Sequence, residues 1–151
     1  MSRQGTLEDE RGFTLIELLV TIVIMGIVFG ISSSIWFKMA ESRRVDSATN
    51  QVVADLRLAH TQATNRLTDV SFVVPSADSS TYQVGPDPMT LPGDDQGTPK
   101  TKIVAPTAIT FHSNGSAEID PAGNITVAST DGDPSHEIEI NSITSRVKVV
   151  N

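Results

Sequence analysis

The chain has 151 residues, enough for one modest domain and an extension, and carries a formal net charge of −7. That acidic balance repels phosphate backbones and disfavours broad electrostatic binding of nucleic acid. No cysteine is present, which excludes disulfides, thiolate catalysis and thiolate metal sites, and only seven aromatic residues leave a core to be built from Val, Ile, Leu and Ala.

In chain order, residues 1–12 mix Arg3 and Arg11 with Glu8, Asp9 and Glu10. From Phe13 to Ile31 only Thr14, Glu17, Thr21, Gly26 and Gly30 are not strongly apolar. That length approaches the roughly 20 residues a helix needs to span a bilayer. Trp36, Phe37 and Lys38 follow, a pattern suited to an interfacial anchor. A cleaved secretory signal is the first rival reading, with Ser32 and Ser34 as its small residues. Against it stand the mixed charge of residues 1–12, an apolar run longer than an ordinary signal core, and a glutamate inside that run. A plain signal anchor explains the run but neither Glu17 nor Gly12-Phe13.

An ionised carboxylate at the centre of a membrane helix costs roughly 2.5–3.5 kcal/mol, and less near an interface. Glu17 lies near the start of the run and can reach back to the headgroups. It also has a better partner. A cut between Gly12 and Phe13 places a new α-amine four residues before Glu17, on the same helix face. The amine of its own chain or that of a neighbour then neutralises the carboxylate, and both pairings stay open.

The unbroken series Gly12, Phe13, Thr14, Leu15, Ile16, Glu17, Leu18, Leu19 resembles the class III signal of type IV prepilins and type II secretion pseudopilins. The resemblance runs on to Ile27. It implies cleavage after Gly12 by a membrane prepilin peptidase, N-methylation of Phe13, and a filament-assembly role for Glu17. It also implies a single pass through the inner (cytoplasmic) membrane, with residues 1–12 inside and the remainder outside the cytoplasm, and other pilins or pseudopilins as partners. The acidic residues beside Arg11 depart from the short basic leader common in the family. Lys38, Arg43 and Arg44 lie beyond the span, so the topology rests on the resemblance and not on a charge count.

Gly26, Gly30 and Ser34 recur every four residues, a small-residue spacing that lets helices pack closely. Chance is the plainer reading, and a lowered helix propensity that permits local stretching is a third. Many filament-forming relatives carry a proline in this region. Here none occurs before Pro75, which favours one continuous helix. Val45, Val52, Leu56, Ala59 and Ala63 then fall at helical spacing, with Asp46, Asn50, Asp55 and Gln62 mainly between them. His60, remote in sequence from other metal ligands, reads as a surface or boundary residue.

After Asp69 short β-branched runs alternate with turn residues. They are 69–74, 81–84, 107–112, 116–119, 124–129, 136–140 and 146–150. About seven strands predict a small antiparallel sheet or sandwich with the amphipathic helix on one face. Residues 85–100 hold four of the eight prolines and read as a long exposed loop. Residues 57–66, Phe111 with Gly115, and the closing Ser145-Arg146-Val147 resemble the GspH/FimT group of minor pilins and pseudopilins, except that Ser145 stands where that group usually has glycine. The expected fold is therefore α+β and pilin-like. Residues 1–12 are the leader, 13–37 the transmembrane half of the helix, 38–67 its amphipathic half and 68–151 a β-rich globular domain.

No nucleophile with a base, no phosphate loop and no metal-spaced cluster is legible, so neither an enzyme nor a cofactor is expected. Asp87, Asp94 and Asp95, or Asp131 and Asp133, lack the spacing of a calcium loop and read as solvated acidic turns. Asn114 and Asn124 match glycosylation sequons and equally match turn chemistry. Arg146 and Lys148 alternate with Val147 and Val149, which makes them candidate DNA contacts. DNA uptake is thus the alternative function, although a chain cut after Gly12 keeps a net charge of −6 once two arginines and three acids are lost.

Overall fold

The computed structural model describes residues 13–93, 96–105 and 107–150. The expectations placed on Gly12, Asp94 and Asp95 lie outside them. The chain divides into two compact units, Met1–Lys38 and Met39–Asn151. Helix α1, Leu15–Arg66, is 52 residues long and contributes to both.

In the first unit the described side chains of α1 are exposed, from Leu15 at 82 % to Ile31 at 64 %. The hydroxyls of Thr21 and Ser32 donate to the carbonyls of Glu17 (2.7 Å) and Val28 (2.8 Å), so each polar group is satisfied within the helix. Leu15–Ser32 is by length and composition apolar enough to cross a membrane.

In the second unit α1 buries the stripe expected from its periodicity: Val45, Val52, Leu56, Ala59 and Ala63 are all fully buried. Ala48, Thr49 and Val53 widen that stripe. The helix stops at Leu67, whose φ of 54° is left-handed, and Thr68 N donates back to Ala63 O at 3.3 Å. This is the six-to-one bond of a Schellman cap made without glycine.

Among the described residues, nine strands form two antiparallel sheets. The first contains β1 (Val70–Val74), β2 (Thr81–Val84), β3 (Asp87–Thr90), β5 (Thr107–Phe111) and β6 (Ala117–Asp120), in the order β3-β2-β1-β5-β6. The second contains β4 (Thr101–Ile103), β7 (Ile125–Ser129), β8 (Ser135–Ile140) and β9 (Val147–Val150), in the order β4-β7-β8-β9. The seven expected strands lie within a residue or two of their predicted bounds.

The exposed loop expected over residues 85–100 needs correction. Its first third is β3, which turns back on β2 through Gly85 at φ 59° and pairs Tyr82 with Met89. Pro88 is tolerated because β3 is the sheet edge, where one side needs no donor. Leu91 follows it into the core at 2 % exposure.

Phe72, Tyr82, Ile109 and Phe111 from one sheet, and Ile103, Val127 and Ile138 from the other, meet the helix stripe in a single core. Polar ties join the same layers. Gln51 Nε2 donates to Tyr82 Oη (2.9 Å) and to Thr90 O (3.1 Å), while Tyr82 donates to Asp55 at 2.5 Å. Burial, and then the Asp55 hydrogen bond, hold the Tyr82 phenol well above its ordinary pKa, so it stays a donor throughout the physiological range. On the other sheet, the Ser129 hydroxyl donates to Glu41 and His136 Nε2 lies 2.7 Å from Asp46.

Candidate functional site

The N-terminal segment is built around a helix start. Phe13 is 85 % exposed and lies outside the helix, as does Thr14. Thr14 Oγ1 accepts the Glu17 backbone N–H at 3.2 Å, and Leu18 N donates to Thr14 O at 3.2 Å. Thr14 is therefore the N-cap and Glu17 the third helical residue, half of a capping box. A carboxylate in that first turn also faces the positive end of the helix dipole. Glu17 thus has a favourable local reason for its position in addition to any amine it meets. The Thr-x-x-Glu spacing signalled the cap in the sequence but was overshadowed there by the apolar run.

Gly26 and Gly30 are more open than close packing within the chain requires. A Cβ built on either meets nothing within 4 Å. Among the described residues, no side-chain packing accounts for their small size.

At the far end of the β-domain, Arg146 and Lys148 are exposed while Val147 between them is buried, as their alternation predicted. The structure brings Arg57 of α1 to the same place. Arg57, His60, Arg146 and Lys148 line an open cleft of about 660 Å³. Sequence reasoning missed Arg57 because 89 residues separate it from Arg146. Glu139 stands opposite Lys148 in the β8–β9 register, which limits the cationic character of the strip.

The histidines are dispersed. His60 is half-buried and edge-on to Phe111, with ring centroids 5.8 Å apart. His112 Nδ1 lies 2.9 Å from Asp69, and His136 pairs with Asp46. Among the described residues, no group of three or more metal-type ligands comes together. Asn114 Oδ1 accepts from Ser116 N at 2.9 Å and from Ser116 Oγ at 2.7 Å, and Asn124 Nδ2 donates to Glu137 at 3.2 Å. Both sequon asparagines are thus engaged in local hydrogen bonds.

An exposed apolar helix that opens on a capped Phe-Thr start, joined to a helix packed on two antiparallel sheets, defines a pilin-like α+β protein. The family of the prokaryotic N-terminal methylation motif matches residues 9–33, and that of the type II transport protein GspH matches residues 48–144. The second match covers more than half of the chain, and the chain belongs to the GspH family, as a pseudopilin or minor pilin bearing the N-methylation motif. A search of curated proteins and a search of solved structures each returned no match.

Proposed function

We propose that the chain is made as a membrane-anchored precursor, cut between Gly12 and Phe13 by a prepilin peptidase, N-methylated on Phe13, and assembled with other pilins into a type II secretion pseudopilus or type IV pilus. Residues 1–12 are the leader on the cytoplasmic side. Residues 13–37 hold the chain in the inner membrane, and residues 38–67 and 68–151 lie outside the cytoplasm. Gly26 and Gly30 face neighbouring helices in the filament. The observation that carries this reading is the position of the motif: Phe13 stands outside α1 and Glu17 sits in its first turn.

Glu17 is the assembly residue, because a carboxylate in an apolar environment is stabilised when a cationic amine reaches it. Glu17→Ala leaves cleavage intact and lowers incorporation into sheared filaments at least tenfold. Wild-type levels of the variant in purified filaments would refute the assembly role. Gly12→Glu puts a bulky charge beside the scissile bond and stops processing. Its mass in membrane fractions stays that of the precursor, and a mature-length product would overturn the assignment of the cut.

The alternative of DNA uptake gains Arg57 as a third cation. Against it, Glu139 faces Lys148 and the mature chain remains acidic. We therefore keep the filament reading.

A further inference from the structure

Among the described residues the two sheets end in four edge strands, and three of them have their outward backbone groups engaged or removed. On β3 the outward positions are Pro88, which has no N–H, and Thr90, whose carbonyl accepts from Gln51. On β4 the outward Ile103 exchanges hydrogen bonds with Ser79, at 2.8 and 3.1 Å. On β6 the outward amide of Ala117 donates to Ser142 O at 2.9 Å. β9 differs. Asn141 N donates to Arg146 O at 3.0 Å, so the ladder with β8 uses the backbones of Arg146, Lys148 and Val150. The amides and carbonyls of Val147 and Val149 therefore point away from β8, and among the described residues no backbone or side chain pairs with them.

The free edge opens on the cleft of Arg57, Arg146 and Lys148, none of which forms an ion pair among the described residues. Charges on an edge strand discourage pairing, and Arg146 and Lys148 do so against a second β9, which would bring the same two cations. Arg57 needs another reason, because it comes from α1 to the same place. Three converging cations beside unpaired strand backbone suit an extended peptide with negative charge at one end. Size decides what fits. Glu139 does not line this cleft but the adjoining hollow, with Asn141, Arg146 and Lys148. A compact carboxylate end meets the cations alone, whereas a duplex wide enough to cover both hollows also meets Glu139.

We propose that the β-domain captures the acidic C-terminal segment of a different protein by strand addition to β9. The segment runs antiparallel to β9 and exchanges backbone hydrogen bonds with Val147 and Val149. Its terminal carboxylate and a last acidic side chain enter the cleft of Arg57, Arg146 and Lys148, where β9 begins. The strand of four residues offers about 13 Å of edge, enough for a short tail. Such a partner is additional to filament neighbours, and Glu17→Ala, which tests assembly, leaves this binding unchanged.

The probe is a fluorescein-labelled peptide, Ser-Thr-Val-Thr-Val-Asp-Asp, titrated with the full chain in neutral detergent micelles and read by fluorescence anisotropy. It binds saturably, and amidating its C-terminus weakens binding about tenfold. Arg57→Glu and Arg146→Glu, both at exposed positions, each weaken it by at least about as much, and high salt weakens it in the unsubstituted chain. N-methylating the peptide amides one at a time, which needs no change in the protein, gives losses at every second position and little effect between them. Absence of saturable binding, equal binding of the amidated peptide, or N-methyl losses without a period of two overturns the proposal. So does displacement of the peptide by inorganic phosphate at equal concentration, which would mark a simple ion site, or by a mixed-sequence DNA duplex at equal concentration. A dimer in the micelles that Arg57→Glu abolishes, with no peptide binding, would assign the cleft to a second copy and overturn it too.

Discussion

At Ser145 the backbone takes a φ of 50°, in the left-handed region where glycine meets least resistance. That is the position at which the GspH/FimT resemblance led us to expect glycine. The serine hydroxyl donates to Gly115 O at 2.7 Å, which ties the β8–β9 turn to the β5–β6 turn. Ser142 O accepts from Ala117 N across the same seam. Asp69, which precedes β1 and holds the β5–β6 turn, supports a prediction about pH. Its carboxylate accepts from His112 Nδ1 at 2.9 Å and from Ser113 N at 3.2 Å. The His112 hydrogen bond, and then the Ser113 amide, hold its pKa below the ordinary 3.8. A depressed folded-state pKa contributes stability that is fully present above about 3.8 and is lost as pH falls through the lowered value. Asp69→Asn should therefore flatten the acid limb of the stability curve below that pH. Urea midpoints taken across the acid range check this, and an unchanged slope in the variant would refute it.

The elements differ in how openly the sequence announced them. The helical stripe was legible because Val45, Val52, Leu56, Ala59 and Ala63 repeat with the helix period, and every one of them is fully buried. β8 was legible because Glu137 and Glu139 alternate with the buried Ile138 and Ile140. β3 was hidden because Asp87-Pro88 is turn chemistry read alone, and only its edge position makes that proline acceptable. β4 was hidden because three residues are too few to show a period. The Arg57 cleft and the contact of Gln51 and Asp55 with Tyr82 were hidden for a different reason. Each joins residues remote in sequence, and no local pattern encodes that meeting. The stripe also permits a quantitative prediction. Leu56 is fully buried within the cluster that includes residues of both sheets, so Leu56→Ala should cost about 2–5 kcal/mol. Leu58, two positions on, is 45 % exposed, and Leu58→Ala should change stability by about 0.5 kcal/mol or less. Denaturation midpoints of the two variants decide the matter, and equal losses would mean the helix face has been misassigned.

For the whole molecule, the decisive contrast is between a unit whose apolar side chains are exposed and one whose apolar side chains are enclosed. Every described buried hydrophobic residue lies at or beyond Val45, although α1 begins at Leu15. The described residues of the first unit therefore add nothing to the core, and its exposed leucines and isoleucines need another apolar environment. Under the function proposed above, lipid would supply one in the precursor and neighbouring helices would supply one in a filament. A chain shortened to residues 39–151 should accordingly stay in solution and unfold cooperatively. It retains the whole core and keeps the ties from Glu41 to Ser129 and from Asp46 to His136. A chain shortened to residues 51–151 loses Val45, Ala48 and Thr49 together with both ties. Burial of Val45 alone is worth roughly 1.5–3 kcal/mol, a large part of the 5–15 kcal/mol that holds a domain folded. The shorter chain should therefore melt at markedly lower urea with a broader transition. Equal midpoints for the two would show that the first turns of the amphipathic segment are dispensable to the β-domain. Aggregation of residues 39–151 would refute the prediction.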